Sequence, residues 1–311
     1  MNNIIFGPIH SRRFGKSLGV DLSPSKKQCN FDCLYCELDP AKSVDTQDVV
    51  LSIDEIVSAV KKGLDEHKDI DVLTITANGE PTLYPHLSTL IDRINKIKGE
   101  TKTLILSNAS TISDPKIQEA LLKIDTVKLS LDCATPKCIH KIDRMHSGIE
   151  LEDIKQGMLE FGSKSKNPLI IEILVVEGIN DKESEIKELN SFLMQLKPTR
   201  IDLGTIDRPP AYAIKAVSYE RLRELSLLFD PALHINIATR KGALPSPSSY
   251  SEDEIIDTLK KRPLTPEDIE ILFDDDSKIR LNKLQNDGKV GLISDHGVNF
   301  YKISKQMAKN H

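Results

Sequence analysis

Residues 29 to 36 read Cys29-Asn30-Phe31-Asp32-Cys33-Leu34-Tyr35-Cys36, which places three cysteines on one short loop with three and then two residues between them. Three thiolates at this spacing can surround a single inorganic centre, and thiolate sulfur selects iron–sulfur or zinc sites. No fourth cysteine follows nearby, whereas a structural zinc ion normally takes four protein ligands. The loop therefore predicts a cubane iron–sulfur cluster with one open iron, with disulfides or a three-sulfur zinc site as the alternatives.

The same loop, CxxxCxxC with Tyr35 before its last cysteine, resembles the signature of the radical S-adenosylmethionine (SAM) superfamily. The resemblance implies a 4Fe–4S cluster on Cys29, Cys33 and Cys36, and SAM as the second cofactor. In that superfamily the open iron chelates the amino and carboxylate groups of SAM. An electron from the cluster then splits SAM and yields a 5'-deoxyadenosyl radical.

Composition describes a globular protein without a general affinity for polyanions. The chain has 311 residues, enough for one large α/β domain and a small appendage or for two ordinary domains. Its content of 39% hydrophobic and 29% charged residues is typical of soluble proteins, and its net charge of -5 gives no overall basic field. A nucleic-acid partner would need a local basic patch.

The sequence also predicts a cellular location. Residues 1–6 lack the basic flank and longer apolar core of a secretory signal, and no apolar run approaches the ~20 residues that span a membrane. Five cysteines, three of them clustered, argue against a disulfide framework and for a reducing compartment. We expect a cytoplasmic protein with no membrane partner.

Strand-like and helical segments alternate along most of the chain. Strand patterns occur at 18–23, 71–76, 102–107, 125–131, 168–176 and 200–206, and helical patterns near 53–64, 86–98, 115–122, 150–162, 183–196 and 218–229. Six β/α units predict a parallel sheet with helices outside it, but are too few for a closed eightfold barrel. The predicted fold class is α/β, a partial (β/α)6 barrel, which is also the fold that the superfamily resemblance implies.

The strands carry polar residues on one face. In the run 127–132, Lys128, Ser130 and Asp132 alternate with apolar residues and therefore share one face. A parallel strand buried on both faces should be apolar throughout. The pattern predicts a barrel lumen that holds a polar ligand, with a solvent-exposed sheet face as the alternative.

A change in composition divides the chain. We predict a core domain over 1–241, a linker over 242–250 and a C-terminal domain over 251–311, where three helices and a β-hairpin resemble a winged helix-turn-helix. From 251 to 311 there are 10 Lys and Arg against 12 Asp and Glu, a net charge of -2. DNA-binding domains usually carry a basic face, so docking of a substrate or a protein is at least as well supported.

Polar residues after successive strands are candidate SAM ligands, because ligands of parallel α/β folds bind at the carboxyl ends of strands. Asn78-Gly79-Glu80 resembles the glycine-glycine-glutamate SAM motif of the superfamily, with Asn78 in place of the first glycine and Glu80 as a partner of the SAM ammonium. The resemblance implies that residues at the ends of predicted strands three and four contact the carboxylate and ribose of SAM. Predicted strand five contributes the acid Glu172, and the loop after it contributes the amide Asn180. The full predicted set is Tyr35, Asn78, Gly79, Glu80, Ser107, Asn108, Ser130, Asp132, Glu172 and Asn180.

Four basic residues are candidates for substrate binding. Arg12 and Arg13 precede the cysteine loop and suit an anionic group or the charge of the cluster, or else form a solvated basic patch. Lys128 is predicted to point into the lumen, and Arg208 after strand six could clamp a phosphate or carboxylate. Two further cysteines, at positions 133 and 138, read as a pair of buried or free thiols rather than as cluster ligands.

The motifs of residues 5–240 look like those of an uncharacterised group of iron–sulfur oxidoreductases related to the transfer-RNA wyosine synthases. The chain lacks the extra amino-terminal cysteines of those synthases, so a different substrate is expected. We expect a radical SAM enzyme that abstracts hydrogen from a macromolecule, RNA or protein, with flavodoxin or ferredoxin as the electron donor. The alternative is an iron–sulfur redox sensor whose winged helix binds DNA.

Overall fold

The computed structural model describes residues 4–11, 14–237, 247, 249–261, 263–295 and 298–304. An eight-stranded sheet, in which the strands follow sequence order, lies at its centre. The strands are β1 (Ile5–Ser11), β2 (Gly15–Asp21), β3 (Val72–Thr76), β4 (Lys102–Ser107), β5 (Thr126–Ser130), β6 (Leu169–Val175), β7 (Arg200–Thr205) and β8 (Ile235–Ile237). Only β1 is antiparallel to its neighbour among these strands. The six predicted strands are confirmed, and β1 and β8 extend the sheet at its two edges.

Helices connect the parallel strands, as the alternating pattern predicts. They are α1 (Ile53–Glu66), α2 (Leu87–Ile97), α3 (Pro115–Leu121), α4 (Pro136–Ile142), α5 (Leu151–Lys164), α6 (Glu183–Leu196) and α7 (Tyr219–Ser226). Ser52 caps α1 and forms a capping box with Glu55, which fixes where the helix starts. The sequence analysis did not predict α4, although Pro136 at its first position is a common start of a helix.

The two faces of the sheet differ in polarity. Leu18, Val20 and Leu129 face the helices and are fully buried in one large apolar cluster. On the other face Lys128 and Asp202 are also buried, and their charged groups meet at 3.3 Å. The inward face of the sheet is therefore polar and buried at these two positions, and the alternative of an exposed sheet face does not hold for them.

The C-terminal region has its own small core. It contains α8 (Glu252–Lys261), α9 (Pro266–Leu272), α10 (Asp275–Asn286) and an antiparallel hairpin of β9 (Val290–Asp295) and β10 (Val298–Ile303). These are the elements that the sequence predicted, whereas their assignment as a winged helix stays a prediction. Most of the predicted linker lies outside the described residues. Its last residue, Tyr250, is buried in the C-terminal core with its ring centre 4.7 Å from that of Phe273.

The C-terminal region packs against the edge of the barrel. Ile9 of β1 belongs to the apolar cluster of the C-terminal region, and α8 contacts β1. Arg208 lies in the loop after β7, and its guanidinium contacts the carbonyl oxygen of Pro263. The C-terminal region therefore contacts β1, at one edge of the sheet, and the loop that follows β7, near the other edge. Among the described helices none has the length and apolarity that crossing a membrane requires.

Candidate cofactor site

Backbone hydrogen bonds to the C-terminal end of α4 anchor the cysteine loop. The amide of Leu34 donates to the carbonyl of Ile142 at 2.8 Å, and the amide of Asp32 donates to that of Asp143 at 3.0 Å. Cys29, Cys33 and Cys36 are half-buried and form no disulfide. Three unbonded thiols are therefore presented together by one anchored loop.

A second contact fixes the start of the loop to the predicted SAM motif. The amide of Gln28 donates to the carbonyl of Asn78 at 2.8 Å, and the amide of Glu80 donates back to the carbonyl of Gln28 at 3.0 Å. Between them Gly79 has φ +137°, and a Cβ atom there would lie 2.0 Å from the Gln28 carbonyl oxygen. Only glycine fits this close approach. The structure thus brings Asn78, Gly79 and Glu80 next to Cys29.

Glu80 is buried and fully engaged inside the protein. Its carboxylate accepts hydrogen bonds from Ser107 Oγ and the Asn108 amide, each at 2.7 Å, and from the amide and hydroxyl of Thr82. Burial raises the pKa of this carboxyl, and the four donors oppose that rise. The observed task of Glu80 is to hold the loop after β4, while contact with the SAM ammonium stays a prediction.

Asn108 links that loop back to the cysteines. Its side-chain nitrogen Nδ2 lies 3.7 Å from Cys29 Sγ and donates a hydrogen bond to Asn30 Oδ1 at 2.9 Å. Residues 28–30, 78–80 and 107–108 therefore form one continuous network around Cys29. This network contains five of the ten predicted SAM contacts, which are Asn78, Gly79, Glu80, Ser107 and Asn108.

The surroundings of Cys29 and Cys33 favour the neutral thiol over the thiolate. Burial raises the pKa of Cys29 to about 12 and raises that of Cys33 well above its usual value, with Asp143 as the second cause at Cys33. The Lys27 ammonium is 3.5 Å from Cys36 Sγ. Iron binding must release the thiol protons, and a cationic neighbour favours the resulting thiolate.

Tyr35 points toward two buried acids. Its hydroxyl donates to Asp143 Oδ1 at 3.3 Å. Burial raises the pKa of Asp143 to about 6, and burial together with the charge of Asp143 raises that of Asp132 well above its usual value. Asp143 was missed in the sequence, although it is the one acid in the otherwise basic run 136–146.

Asn180 lies at the end of β6 but is enclosed. Its side chain donates to the carbonyls of Asp132 and Leu174 at 2.9 and 2.8 Å and accepts from the amide of Val176 at 2.7 Å. These contacts tie the ends of β5 and β6 together. A direct contact with SAM stays a prediction, and the structure shows Asn180 as a residue that positions the Asp132 backbone.

The barrel interior holds a compact group of charges. Lys128 Nζ lies 2.5 Å from Glu172 and 3.3 Å from Asp202, and Arg200 pairs with Asp202 at 2.9 Å. Ser130 pairs with Glu172 in the register of β5 and β6. Lys128 points inward as predicted, but it is held between two carboxylates. Asp202 and Arg200 were missed, although they alternate with Ile201 and Leu203 in the sequence and therefore share one face of β7.

Arg208 has a different role from the predicted anion clamp. Its side chain is 10% exposed, and its guanidinium lies 3.7 Å from Glu37 and 3.9 Å from Asp268. The donors of Arg208 are thus directed to the cysteine loop and to α9, which leaves it enclosed rather than open to a substrate. Arg12 and Arg13 lie outside the described residues.

Cys133 and Cys138 correct the prediction of free thiols. They form a disulfide with their Cα atoms 5.7 Å apart. The end of β5 and the first turn of α4 bring the two residues within the span that a disulfide bridges, which the spacing alone did not reveal. The carboxylate of Glu185 is close to both sulfur atoms, but it accepts hydrogen bonds from the amides of Ala134 and Thr135.

Comparison with known proteins agrees with this geometry. A sequence model described as the Radical SAM superfamily matches residues 25–189, more than half of the chain. The chain belongs to the radical SAM superfamily. A UPF0026 protein of Helicobacter pylori strain J99 is 40% identical over 96% of this chain and 97% of its own length. A UPF0026 protein of Methanocaldococcus jannaschii is 30% identical over 99% of this chain and 98% of its own length.

A solved structure supports the fold. Streptococcus suis SuiB, bound to the precursor peptide SuiA, superposes on this radical SAM protein with a TM-score of 0.56 and 18% identity. The match covers 71% of this chain and 48% of SuiB, so the chain spans about half the length of that protein. At this identity the likeness concerns the fold alone.

Membership makes the protein an enzyme and implies SAM and an iron–sulfur cluster as its cofactors. The donor set fits the cluster, because three unbonded thiols lie on one loop and the loop offers no fourth protein sulfur. The comparisons give no support to the alternative of a DNA-binding redox regulator.

Proposed function

We propose that this radical SAM enzyme holds a 4Fe–4S cluster on Cys29, Cys33 and Cys36, cleaves SAM reductively and abstracts hydrogen from RNA or protein. The observation that carries the proposal is the cysteine loop itself. Its three thiols are unbonded, and its first cysteine is surrounded by the residues of the predicted SAM motif. When bound, the reduced cluster supplies the electron that splits SAM into methionine and a 5'-deoxyadenosyl radical.

The protein residues bind and orient the reacting groups. Gly79 allows the chain to approach Gln28, so that the backbone at 78–80 is fixed beside Cys29. Glu80 and Asn108 keep the end of β4 against the same cysteine. Because these contacts are made between groups of the protein itself, they fix the geometry around Cys29 and reduce the ordering that cofactor binding requires.

The charged lumen supplies the substrate side of the site. Lys128, Glu172 and Asp202 lie on the inward face of β5, β6 and β7, below the strand ends that carry the SAM residues. Such a group suits a polar substrate portion that inserts into the barrel, and a substrate that fills this space would keep water from a reactive radical. The C-terminal region contacts β1 and the loop after β7, which supports a role for it in presenting a macromolecule.

Anaerobic reconstitution tests the proposal. The reduced protein, incubated with SAM, should release 5'-deoxyadenosine, and Cys33→Ala should release none. Cellular RNA and protein fractions with deuterium in place of hydrogen are then added separately, and mass spectrometry follows deuterium in 5'-deoxyadenosine. Transfer from one fraction identifies the substrate class. Absence of SAM cleavage by the fully loaded protein would contradict the proposed function.

A further inference from the structure

The segment that supports the cysteine loop is basic on its outer side. Residues 136–146 contain five basic side chains, Lys137, His140, Lys141, Arg144 and His146, in a chain whose net charge is -5. The one acid in this run, Asp143, is 3% exposed and therefore adds little to the surface charge. This segment is thus basic on its outer side within a chain of net negative charge.

Helical spacing collects these charges on one face. Cys138, Ile139 and Ile142 are buried against the barrel, whereas Lys137, His140 and Lys141 are exposed at positions i, i+3 and i+4. We refer to these three exposed residues as the basic face of α4. Within the described part of the chain none of the three forms an ion pair. The ammonium of Lys141 is directed to a carbonyl, that of Gly178 at 3.5 Å.

The basic face lies close to the metal-binding loop. The residue after α4, Asp143, approaches the thiol of Cys33, and its backbone carbonyl accepts the amide of Asp32. The next residue, Arg144, pairs with Asp32 at 3.1 Å. A protein bound to the basic face would therefore be separated from Cys33 by little more than the end of one short helix.

We propose that the basic face of α4 docks a small acidic protein that carries single electrons, and that this protein reduces the metal centre. The inference rests on the proposed function, which requires such a donor. One electron leaves the carrier, which is oxidised by one unit, and enters the centre held by the three cysteines, which is reduced by one unit. No bond forms or breaks between the two proteins.

Position and charge favour this partner over the substrate. Because the buried side of α4 faces the barrel, its basic face points away from the lumen in which a substrate must react. An electron carrier needs only a short distance to the cluster and no access to the lumen. Opposite charges across such a surface accelerate association and select the partner. Among the residues that the structure describes, Lys137, His140 and Lys141 have no ion-pair partner, which leaves these groups available for that contact.

The test uses the full-length protein and recombinant flavodoxin as the acidic probe. Binding is measured by surface plasmon resonance for the native protein and for Lys137→Glu/Lys141→Glu. The control, Lys61→Glu/Lys96→Glu, makes the same change of charge at exposed positions on α1 and α2. We expect the first pair to weaken the Kd by about tenfold or more and the control by less than about threefold. Raising the ionic strength from about 0.05 M to about 0.5 M should weaken native binding.

A second measurement separates docking from catalysis. Stopped-flow spectroscopy follows oxidation of reduced flavodoxin by the reconstituted enzyme, which the α4 variant should slow, while dithionite should still support native rates of SAM cleavage in that variant. Failure of SAM cleavage with dithionite in the native protein would count against the proposed function and leave the binding result intact. The docking proposal is wrong if both double variants bind flavodoxin equally. It is also wrong if the α4 variant loses transfer-RNA binding but keeps flavodoxin binding.

Discussion

Two groups of cysteines follow the carboxyl ends of parallel strands in the same sheet, and the protein treats them differently. Cys29, Cys33 and Cys36 are half-buried and unbonded on a loop that backbone contacts hold open. Cys133 and Cys138 are buried and bonded to each other. A buried carboxylate accepts backbone hydrogen bonds beside each group. Glu80 accepts from the amide of Asn108, whose side chain contacts Cys29, and Glu185 accepts from the amide of Ala134, which follows Cys133. Spacing of cysteines thus indicates a metal site only where the fold keeps the sulfur atoms apart and accessible.

The largest difference is expected from removal of single cysteines. Cys33→Ala should reduce the iron content of the reconstituted protein to background and abolish SAM cleavage, because two sulfur ligands cannot hold the cluster. Cys138→Ala should retain native iron content and a native visible spectrum. Iron analysis and absorbance after anaerobic reconstitution measure both. Loss of iron in the Cys138 variant, with Cys33→Ala still loaded, would reverse the roles of the two groups.

Substitution of two glycines tests whether cluster binding depends on the close backbone contact beside Cys29. Gly79→Ala places a Cβ atom 2.0 Å from a carbonyl oxygen at φ +137°, whereas Gly178→Ala at φ +71° meets no atom within 4 Å. We expect the first to destabilise the protein by more than about 3 kcal/mol and the second by about 1 kcal/mol. Urea unfolding gives both values. Only Gly79→Ala should also lower the iron content, because the Gln28 contact is lost with it.

Substitution of the two buried acids, Glu80 and Glu185, should give the smallest difference in iron content between the two cysteine groups. In Glu80→Gln and Glu185→Gln, an amide group replaces an oxygen that accepts hydrogen bonds, which costs about 1 to 3 kcal/mol in each variant. Iron content should fall for Glu80→Gln alone, because its carboxylate holds Asn108 against Cys29. Equal loss of iron in both variants would mean that general destabilisation, rather than local support of the loop, controls cluster binding.

The sequence predicted the parts of the fold that repeat or that have a strict chemical pattern. Six strands, their helices and the cysteine loop are where periodicity and spacing placed them, and Lys128 points inward as alternation required. The edge strand β1 was missed, because Pro8 interrupts a short and mixed pattern. Helix α4 was missed as well, although α3 and α9, which have the same length, were predicted.

The remaining features depend on contacts between distant parts of the chain. The disulfide between Cys133 and Cys138 arises from the turn between β5 and α4, and the enclosure of Arg208 arises from the position of the C-terminal region. Asp143 supports Cys33 from more than a hundred residues away in sequence. No local pattern encodes such neighbours, so the support of the cysteine loop became visible only with the fold.

Electron paramagnetic resonance of the reduced, reconstituted protein tests the central claim most directly. The account predicts the signal of a single 4Fe–4S cluster, and a change in that signal when SAM is added, because SAM binds the iron that no cysteine holds. Cys33→Ala should show neither the signal nor the change. Zinc retained on the three cysteines, or a cluster signal that SAM leaves unaltered, would contradict the account.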